Sequence, residues 1–326
     1  MQRRLDPALL APVLTGPMRA RYLAITALWA ACAAWFWLWW LEPGHVASPA
    51  GYTLSTVALG WIYALQLYFV VVFLGARRSA APDPQPGAFR VAMVVTKTPS
   101  EPLAVLIPTL RAMLAQDYPH DTWLADEDPD DVTRAWCARH GVRISTRKDD
   151  PRYHNTAWPR RRRCKEGNLA YFYDHWGYRD YDIVAQLDAD HVPQPGYLRE
   201  MVRPFADPAV GYVSAPSICS ANADASWAAR ARLHSEAAFH GVFQLGYTGR
   251  LAPMCIGSHY AVRTAALKEV GGLGPELAED HSTSMILNAG GWRGVHAMEA
   301  IALGDGPRTL ADMVTQEFQW SRSLVA

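Results

Sequence analysis

The sequence has no net charge, and this balance limits the partners that it can attract. Its 326 residues include 31 basic and 31 acidic side chains, so the formal net charge at pH 7 is zero. A neutral chain exerts no global attraction on nucleic acid, and any anionic partner must be recognised locally. We therefore expect no nucleic-acid partner.

Cysteine is scarce and shows no paired spacing. This pattern indicates neither a zinc site nor a disulfide framework, and it fits a reducing compartment. Repeats and low-complexity segments are also lacking, and the length allows one sizeable domain with a small additional module. The five cysteines, none of them in a CxxC pair, are Cys32, Cys137, Cys164, Cys219 and Cys255.

Two long uncharged stretches lie near the N-terminus. The first runs from Tyr22 to Leu41 and the second from Tyr52 to Ala76. Each is long enough to cross a bilayer as a helix. The first is longer than the apolar part of a signal peptide and has a Trp cluster in place of a small-residue cleavage site. We expect spans over residues 22–41 and 52–76. The alternative is a hairpin buried in the core of a soluble protein.

The charges around these stretches predict their orientation. The connection EPGHVASPAG has neither Lys nor Arg, and four tryptophans lie where an aromatic belt would meet the outer interface. The positive-inside bias places both ends of the hairpin in the cytoplasm. Arg3, Arg4, Arg19 and Arg21 precede the first stretch, Arg77 and Arg78 follow the second, and the tryptophans are Trp35, Trp37, Trp39 and Trp40.

The chain changes character after this N-terminal module, which we assign to residues 1–78. A Pro-rich segment, residues 79–88, should be an extended, semi-rigid linker. In residues 89–326, short apolar runs alternate with helical periodicity, which predicts an α/β domain with a mainly parallel sheet. Pro108 predicts a kink or a helix start. The predicted strands are 91–95, 122–125, 142–145, 182–187 and 210–215, and the predicted helices include 132–140, 168–176 and 196–205.

Two carboxylates follow the predicted strand at 182–187. The sequence DADHVP places Asp188 and Asp190 at the strand end, which is where ligands bind in such sheets. These oxygens can hold Mg²⁺ or Mn²⁺ when a diphosphate completes the coordination shell. His191 adds an imidazole, which Mn²⁺ tolerates. The alternatives are a solvated acidic turn and a surface histidine.

Seven elements follow one another between about residues 91 and 320. They are the opening strand and helix that end in Gln-Asp-Tyr-Pro (116–119), the acidic turn WLADEDPDD, CKEGNLAYF (164–172), DADHVP, IGSHYAVR (256–263), LAEDHSTSMILNAGGWRGVH (277–296) and QEFQW (316–320). In this order they resemble the processive branch of family 2 glycosyltransferases, the group that contains bacterial cellulose synthase catalytic subunits.

The resemblance implies a GT-A-like fold and a nucleotide-sugar donor, which would be a UDP-sugar, used with Mg²⁺ or Mn²⁺. The ion would be held by Asp188, Asp190 and His191, and Lys165 would add a positive charge at the diphosphate. Lys165 could instead be solvated within the basic run 160–165, which could also contact anionic lipid head groups. The base and ribose would face Thr96, Glu101 and Asp126, although each of these could equally form a turn.

On the acceptor side, the resemblance implies that Asp280 is the general base. Asp280 opens a helix predicted over residues 280–290, so it could also be the N-cap. Trp320 could stack on a sugar ring or pack in a core. The residues assigned to the acceptor site are Gly257, Ser258, Glu279, Gln316 and Trp320.

Two positions depart from the family pattern, because Ala278 stands where Thr is usual and Gln319 where Arg is usual. Arg322 could replace that Arg only if the chain bends. The chain ends six residues after Trp320, whereas relatives continue into further membrane helices. We therefore expect export of a polymer to need a longer form or an additional membrane subunit.

The sequence thus predicts an inverting hexosyltransferase that extends a polysaccharide. We expect a multi-pass protein of the inner (plasma) membrane with a cytoplasmic catalytic domain. Two alternatives stay open: an enzyme of the same fold that glycosylates a lipid-linked acceptor once, and a degenerate nucleotide-sugar sensor.

Overall fold

The computed structural model describes residues 3–249, 251–275 and 278–325. Its N-terminal part is built on two long helices, α1 (Gly16–Trp40) and α2 (Pro49–Leu74). They are preceded by strand β1 (Leu10–Pro12) and followed by strand β2 (Arg77–Ser79), and the two strands pair antiparallel. This ribbon joins the chain entering α1 to the chain leaving α2.

Both predicted stretches are helical, and both helices begin earlier than predicted. Proline in the first turn explains this, because proline fits where the amide has no helical partner. Ser48 is the N-cap of α2, and its hydroxyl accepts a hydrogen bond from the Gly51 amide. The most apolar windows of α1 and α2 are only 0% and 6% buried. This exposure contradicts the alternative of a hairpin buried in a protein core.

Polar side chains in the hairpin pair between its two helices. Trp29 Nε1 donates to Gln66 Oε1 at 2.6 Å, and Trp40 Nε1 donates to Thr56 Oγ1 at 2.9 Å. The rings of Trp40 and Tyr52 stack with centroids 5.2 Å apart. Such pairing satisfies polar groups that have no water to bind in a lipid environment.

The α/β domain contains every strand that the sequence predicted and several others. Within the described residues, seven strands form one sheet in the order β11-β8-β10-β6-β3-β4-β5. All neighbours are parallel except β10, which is antiparallel to both β6 and β8. The strands are β3 (Val91–Lys97), β4 (Asp121–Asp126), β5 (Arg143–Ser145), β6 (Ile183–Leu187), β7 (Val192–Pro193), β8 (Val210–Ser214), β9 (Ser217–Ile218), β10 (His259–Arg263), β11 (Arg293–His296) and β12 (Ala302–Leu303), with β7, β12 and β9 in a small second sheet.

Helices cover both faces of the large sheet. Side chains of β3 point alternately into two apolar clusters, Met93 and Val95 into one and Ala92 and Val94 into the other. Pro108 lies inside a helix. The helices are α3 (Leu103–Leu114), α4 (Asp131–His140), α5 (Lys165–Phe172), α6 (Tyr178–Asp180), α7 (Tyr197–Val202), α8 (Trp227–Ala237), α9 (Phe243–Tyr247), α10 (Thr264–Glu269), α11 (Glu279–Ala289) and α12 (Leu310–Val325), with π-helical turns at Tyr173–Gly177 and Ala238–Val242.

The hairpin packs directly on the α/β domain through α9. The ring of Phe243 lies 4.8 Å from that of Phe69 and 5.3 Å from that of Phe73 in α2. Gly246 allows this approach, because a Cβ there would lie 2.2 Å from Val72 Cγ1. Division of the chain at residues 78 and 88 stays a prediction.

Candidate active site

Lys165, the first residue of α5, lies at the centre of an acidic cluster. Its Nζ is 2.6 Å from Asp188 Oδ1 and 3.9 Å from Glu279 Oε1, and it donates to the Gly257 carbonyl. Asp188 follows β6, Glu279 begins α11, and Gly257 precedes β10. The structure therefore brings together residues that lie far apart in the sequence, at the carboxyl edge where parallel sheets bind ligands.

Because β10 is antiparallel to β6, the predicted acceptor segment lies at this edge of the sheet. His259 is the register partner of Leu187, so the residues before β10 meet the residues after β6. The Asp188 amide donates to the Ser258 carbonyl at 2.8 Å. Gly257 and Ser258 thus lie beside the predicted metal motif.

The cluster keeps a positive charge on Lys165. Burial lowers the pKa of Lys165, but the nearby Asp188, Glu279 and Asp280 outweigh it and raise the net pKa above its usual value. Burial raises the pKa of Glu279 to about 8, although Lys165 opposes the shift. Burial thus favours the protonated form of Glu279, and Lys165 remains a cation.

Asp280 is not the helix N-cap, which corrects one interpretation of the sequence. Ala278 occupies the N-cap position, and Asp280 is the second residue of α11, within its first turn. Its half-buried carboxylate approaches the loop before β10, since a Cβ built on Gly257 would lie 3.0 Å from Asp280 Oδ2. A glycine is thus suited to this position, and the carboxylate faces the predicted acceptor segment.

Asp190 has the exposure that a metal ligand needs, whereas His191 is engaged within the protein. The Asp190 side chain is 56% exposed, and its Oδ1 lies 2.9 Å from His191 Nδ1. The other ring nitrogen of His191 lies 3.2 Å from Ser217 Oγ. Both nitrogens thus have partners, so this conformation favours His191 as a residue that orients Asp190.

The oxygen ligands at this edge suit Mg²⁺ or Mn²⁺. Asp188 and Asp190 offer carboxylates on one turn. In the part of the chain that the structure describes, no group of three or more His, Cys, Asp or Glu could hold a metal ion. An ion here would therefore need oxygens from a ligand such as a diphosphate.

The predicted nucleoside-binding residues lie at the ends of β3 and β4. Lys97 and Asp126 are register partners, and Lys97 Nζ lies 3.1 Å from Asp126 Oδ2 in a buried ion pair. Thr96 is buried next to them. Glu101 accepts from the Thr98 amide at 2.6 Å and so forms a turn. Contact of Thr96, Glu101 and Asp126 with a base or ribose stays a prediction.

A strained loop, which the sequence did not reveal, leads into α5. Arg160 and Arg163 have positive φ angles of 62° and 53°, which are costly for residues with side chains. Carboxylates hold their amides, because Arg160 N donates to Glu166 Oε2 at 2.7 Å and Arg163 N to Glu127 Oε1 at 3.0 Å. Fully buried Arg147 pairs with Glu127 at 3.1 Å. These contacts fix the path of the chain into Lys165.

Gln316 and Trp320 lie on α12, which contacts α8. The guanidinium of Arg232 lies 4.4 Å from the centroid of the Trp320 ring, and Arg232 also bonds Gln316 and Glu317. Trp320 remains 48% exposed. Hydrogen bonds and ion pairs between α12 and the Lys165 cluster are absent among the described residues. Gln319 and Arg322 are exposed. The role of α12 in acceptor binding stays a prediction.

His240, which the sequence analysis did not include, lies near the candidate site. It lies on the π-helical turn at Ala238–Val242, and such turns are frequent at functional sites. Burial lowers its pKa to about 4, and its surroundings include Asp280 and His191. Its Nδ1 is buried without a hydrogen-bond partner among the described residues. No local sequence pattern marks such a turn.

The chain is similar to known glycosyltransferases. Residues 183–324 match the family described as Glycosyl transferase family group 2. The chain is 27% identical over 312 residues to a cellulose synthase catalytic subunit [UDP-forming] of Xanthomonas axonopodis pv. citri, covering 88% of this chain and 40% of the relative. It is 27% identical over 242 residues to the same-named protein of Pseudomonas fluorescens, covering 71% of this chain and 30% of the relative.

A solved structure shares the fold. A mannosyltransferase from Pyrobaculum calidifontis, in complex with GDP-Man and Mn²⁺, superposes with a TM-score of 0.60 at 18% identity, covering 83% of this chain and 72% of that chain. The α/β domain is therefore GT-A-like, as predicted. The chain spans less than half the length of these two curated relatives.

Proposed function

We propose that this chain, whose residues 183–324 match a family 2 glycosyltransferase domain, is a membrane-anchored inverting glycosyltransferase that extends a polysaccharide. The donor would be a nucleotide-sugar with a transferable hexose. A UDP-sugar donor is supported by the two cellulose synthase relatives, whose names describe them as UDP-forming. The observation that carries the proposal is the cationic Lys165, held between the metal-motif residue Asp188 and the start of α11.

The proposed reaction is a single displacement. Asp280 accepts the proton of the acceptor hydroxyl, whose oxygen forms a bond to the anomeric carbon from the face opposite the leaving group. The bond from that carbon to the diphosphate breaks, and the configuration inverts. Lys165 stabilises the negative charge that develops on the diphosphate. Mg²⁺ or Mn²⁺, held by Asp188 and Asp190, would supply Lewis-acid stabilisation of the same charge.

Membrane anchoring is the second part of the proposal. Helices α1 and α2 are long and apolar enough to span a bilayer. The arginines at both ends of the hairpin favour a cytoplasmic catalytic domain in the inner (plasma) membrane. Export of a polymer would need more membrane helices than these two, from a longer form of the chain or from another subunit.

One observation favours a second candidate, a glycosyltransferase that adds one sugar to a lipid-linked acceptor. Arg232 covers one face of Trp320, which reduces the surface on which a polymer could stack. The third candidate is a degenerate nucleotide-sugar sensor. It is favoured by Gln319, which stands where the family has Arg.

A panel of nucleotide-sugars tests all three. The purified protein in detergent is given each donor with Mn²⁺ or Mg²⁺ and an acceptor, and released nucleotide and product length are measured. Long products from a UDP-hexose support the first proposal, and products one sugar longer support the second. Donor binding without nucleotide release by any member of the panel would support the sensor and contradict both enzymes.

A further inference from the structure

A cleft of about 560 Å³ lies where the hairpin joins the α/β domain. Its walls come from the N-terminal segment, β1, the first residue of β2, the turn after α9 and the first residue of β11. Such a volume suits a small ligand. No residue of the proposed active site lines it. Its charged and large apolar lining residues are Arg4, Arg77, Arg293, Leu5, Leu10 and Leu251.

The cleft is strongly basic. Three arginines line it, and none of the described lining residues is acidic. The nearest carboxylate along the chain, Asp6, is turned to the backbone, where its Oδ1 accepts from the Ala8 amide at 2.9 Å. Arg293 Nε donates to the Arg3 carbonyl at 2.8 Å, which fixes that side chain in the wall. This arrangement suits an anion with several oxygens.

The position of the cleft also relates it to the hairpin. Arg77 begins β2, three residues after the end of α2, and β2 pairs with β1 in the register Arg77↔Pro12. Gly249 closes the other side, since a Cβ there would lie 3.4 Å from Leu10 Cδ1 and 3.6 Å from Arg77 Cγ. An arginine next to an apolar wall and a helix end would contact the charged head group of an amphiphile, and the wall would contact its apolar chains.

We infer that this cleft binds the phosphodiester head group of an anionic phospholipid. The inference rests on the proposed membrane anchoring, because only then does Arg77 lie at the level of the head groups. Basic pockets at the cytoplasmic ends of membrane helices bind such head groups. Arg4 and Arg77 contact the phosphate, and Leu5, Leu10 and Leu251 contact the glycerol and the first methylenes of the chains. The basic run at 160–163 does not line this cleft.

The test measures lipid binding to the intact protein in detergent, without donor, by mass spectrometry of the complex. We expect phosphatidylglycerol to bind in preference to phosphatidylcholine. Arg77→Gln and Arg4→Gln should each weaken phosphatidylglycerol binding about fivefold, and the double variant about 25-fold. Arg77→Lys keeps the charge and should keep most of the binding.

The matched control is Arg78→Gln. Arg78 is the next residue of the same strand, lies outside this cleft and pairs with Glu299 at 3.7 Å on the surface. Its loss should leave the lipid preference unchanged. Equal binding of the two lipids, an equal loss in Arg78→Gln, or competition by soluble glycerol 3-phosphate at the same concentration as the lipid would overturn the inference. Since no donor is present, a failure of the proposed enzyme activity does not affect this result.

Discussion

Lys165 and Asp188 form the central ion pair of the candidate site, with Nζ 2.6 Å from Oδ1. The lysine is the first residue of α5 and the aspartate directly follows β6, so the pair joins two layers of the fold. A donor diphosphate would take up part of the interaction that Asp188 now makes. We therefore expect donor binding to change this ion pair directly.

Lys165→Met should weaken donor binding. The variant leaves Asp188 without its cation and facing a negatively charged diphosphate, which should cost about 30-fold or more in affinity. Calorimetry with the preferred nucleotide-sugar measures the effect. Lys148→Met is the control, because that lysine pairs with Asp128 on the surface and is 48% exposed. Unchanged donor affinity in Lys165→Met would show that Lys165 does not take part in donor binding.

Asp190→Asn should remove metal-dependent activity. An amide keeps the shape of the side chain but loses the negative charge, which should cost roughly a thousandfold in transfer rate. Rates are compared over a range of Mn²⁺ and Mg²⁺ concentrations, and also in chelator. The surface variant Asp117→Asn, which loses an exposed pair with Arg199, should behave like the parent protein. Full activity of the parent protein in chelator would contradict the metal proposal.

Asp280→Asn should separate transfer from donor binding. Since Asp280 is inside the first turn and does not cap the helix, its charge contributes only about 0.3–1 kcal/mol through the helix dipole. Stability and donor affinity should change little, while transfer falls about a hundredfold to ten-thousandfold. Calorimetry and nucleotide release on the same preparation test this. Normal transfer would exclude Asp280 as the base, and lost donor binding would place it in the donor site.

Glu279 should make stability fall as pH rises. Its pKa is raised from 4.5 to about 8 in the folded state, so folding takes up a proton in this range. The resulting stabilisation is complete below about pH 4.5 and is lost as pH rises through about 8. Glu279→Gln stays neutral, so its melting temperature relative to the parent should rise from pH 5 to pH 9, by about 2–4 °C per kcal/mol.

The control for this pH series is Glu299→Gln, because Glu299 is exposed on the surface. Its melting temperature should follow the parent protein at every pH. If Glu279→Gln also follows the parent from pH 5 to pH 9, Glu279 does not carry the raised pKa.

A cysteine at Ala47 should be labelled from outside the cell by a reagent that cannot cross the membrane. Ala47 is exposed in the connection between α1 and α2, whereas the neighbouring Ser48 caps α2 and should be kept. The native Cys32 is also exposed and is first replaced by Ala. A cysteine at Ala225, an exposed residue of the α/β domain, is the matched inside position. Labelling of Ala225→Cys but not Ala47→Cys would reverse the proposed topology.

Much of the fold follows from local patterns in the sequence. The five predicted strands, the helices around them and the GT-A-like class are confirmed, because apolar runs and helical periodicity are local properties. The resemblance to family 2 glycosyltransferases is also confirmed. The sequence did not predict strand β10, because it contains the polar residues His259 and Tyr260. Both are buried in the folded chain, which their residue types do not indicate.

The site could be predicted only in part, because its contacts depend on long-range pairing. The sequence places Asp188 at a strand end, but the contact of Lys165 with Gly257 depends on the reversed direction of β10, and its approach to Glu279 depends on the position of α11. The buried pair of Lys97 and Asp126 depends on the register of two strands. The position of Asp280 depends on a helix that begins one residue earlier than predicted.

The aromatic contact of Phe243 with Phe69 and Phe73 has a consequence for the choice of acceptor. If both helices span the bilayer as proposed, this contact fixes the height of the catalytic cleft above the lipid surface. The length of the glycan on a lipid-linked acceptor, and not only its terminal sugar, would then decide whether the acceptor reaches Asp280. Shorter acceptors would fail for lack of reach even when their terminal sugar is correct.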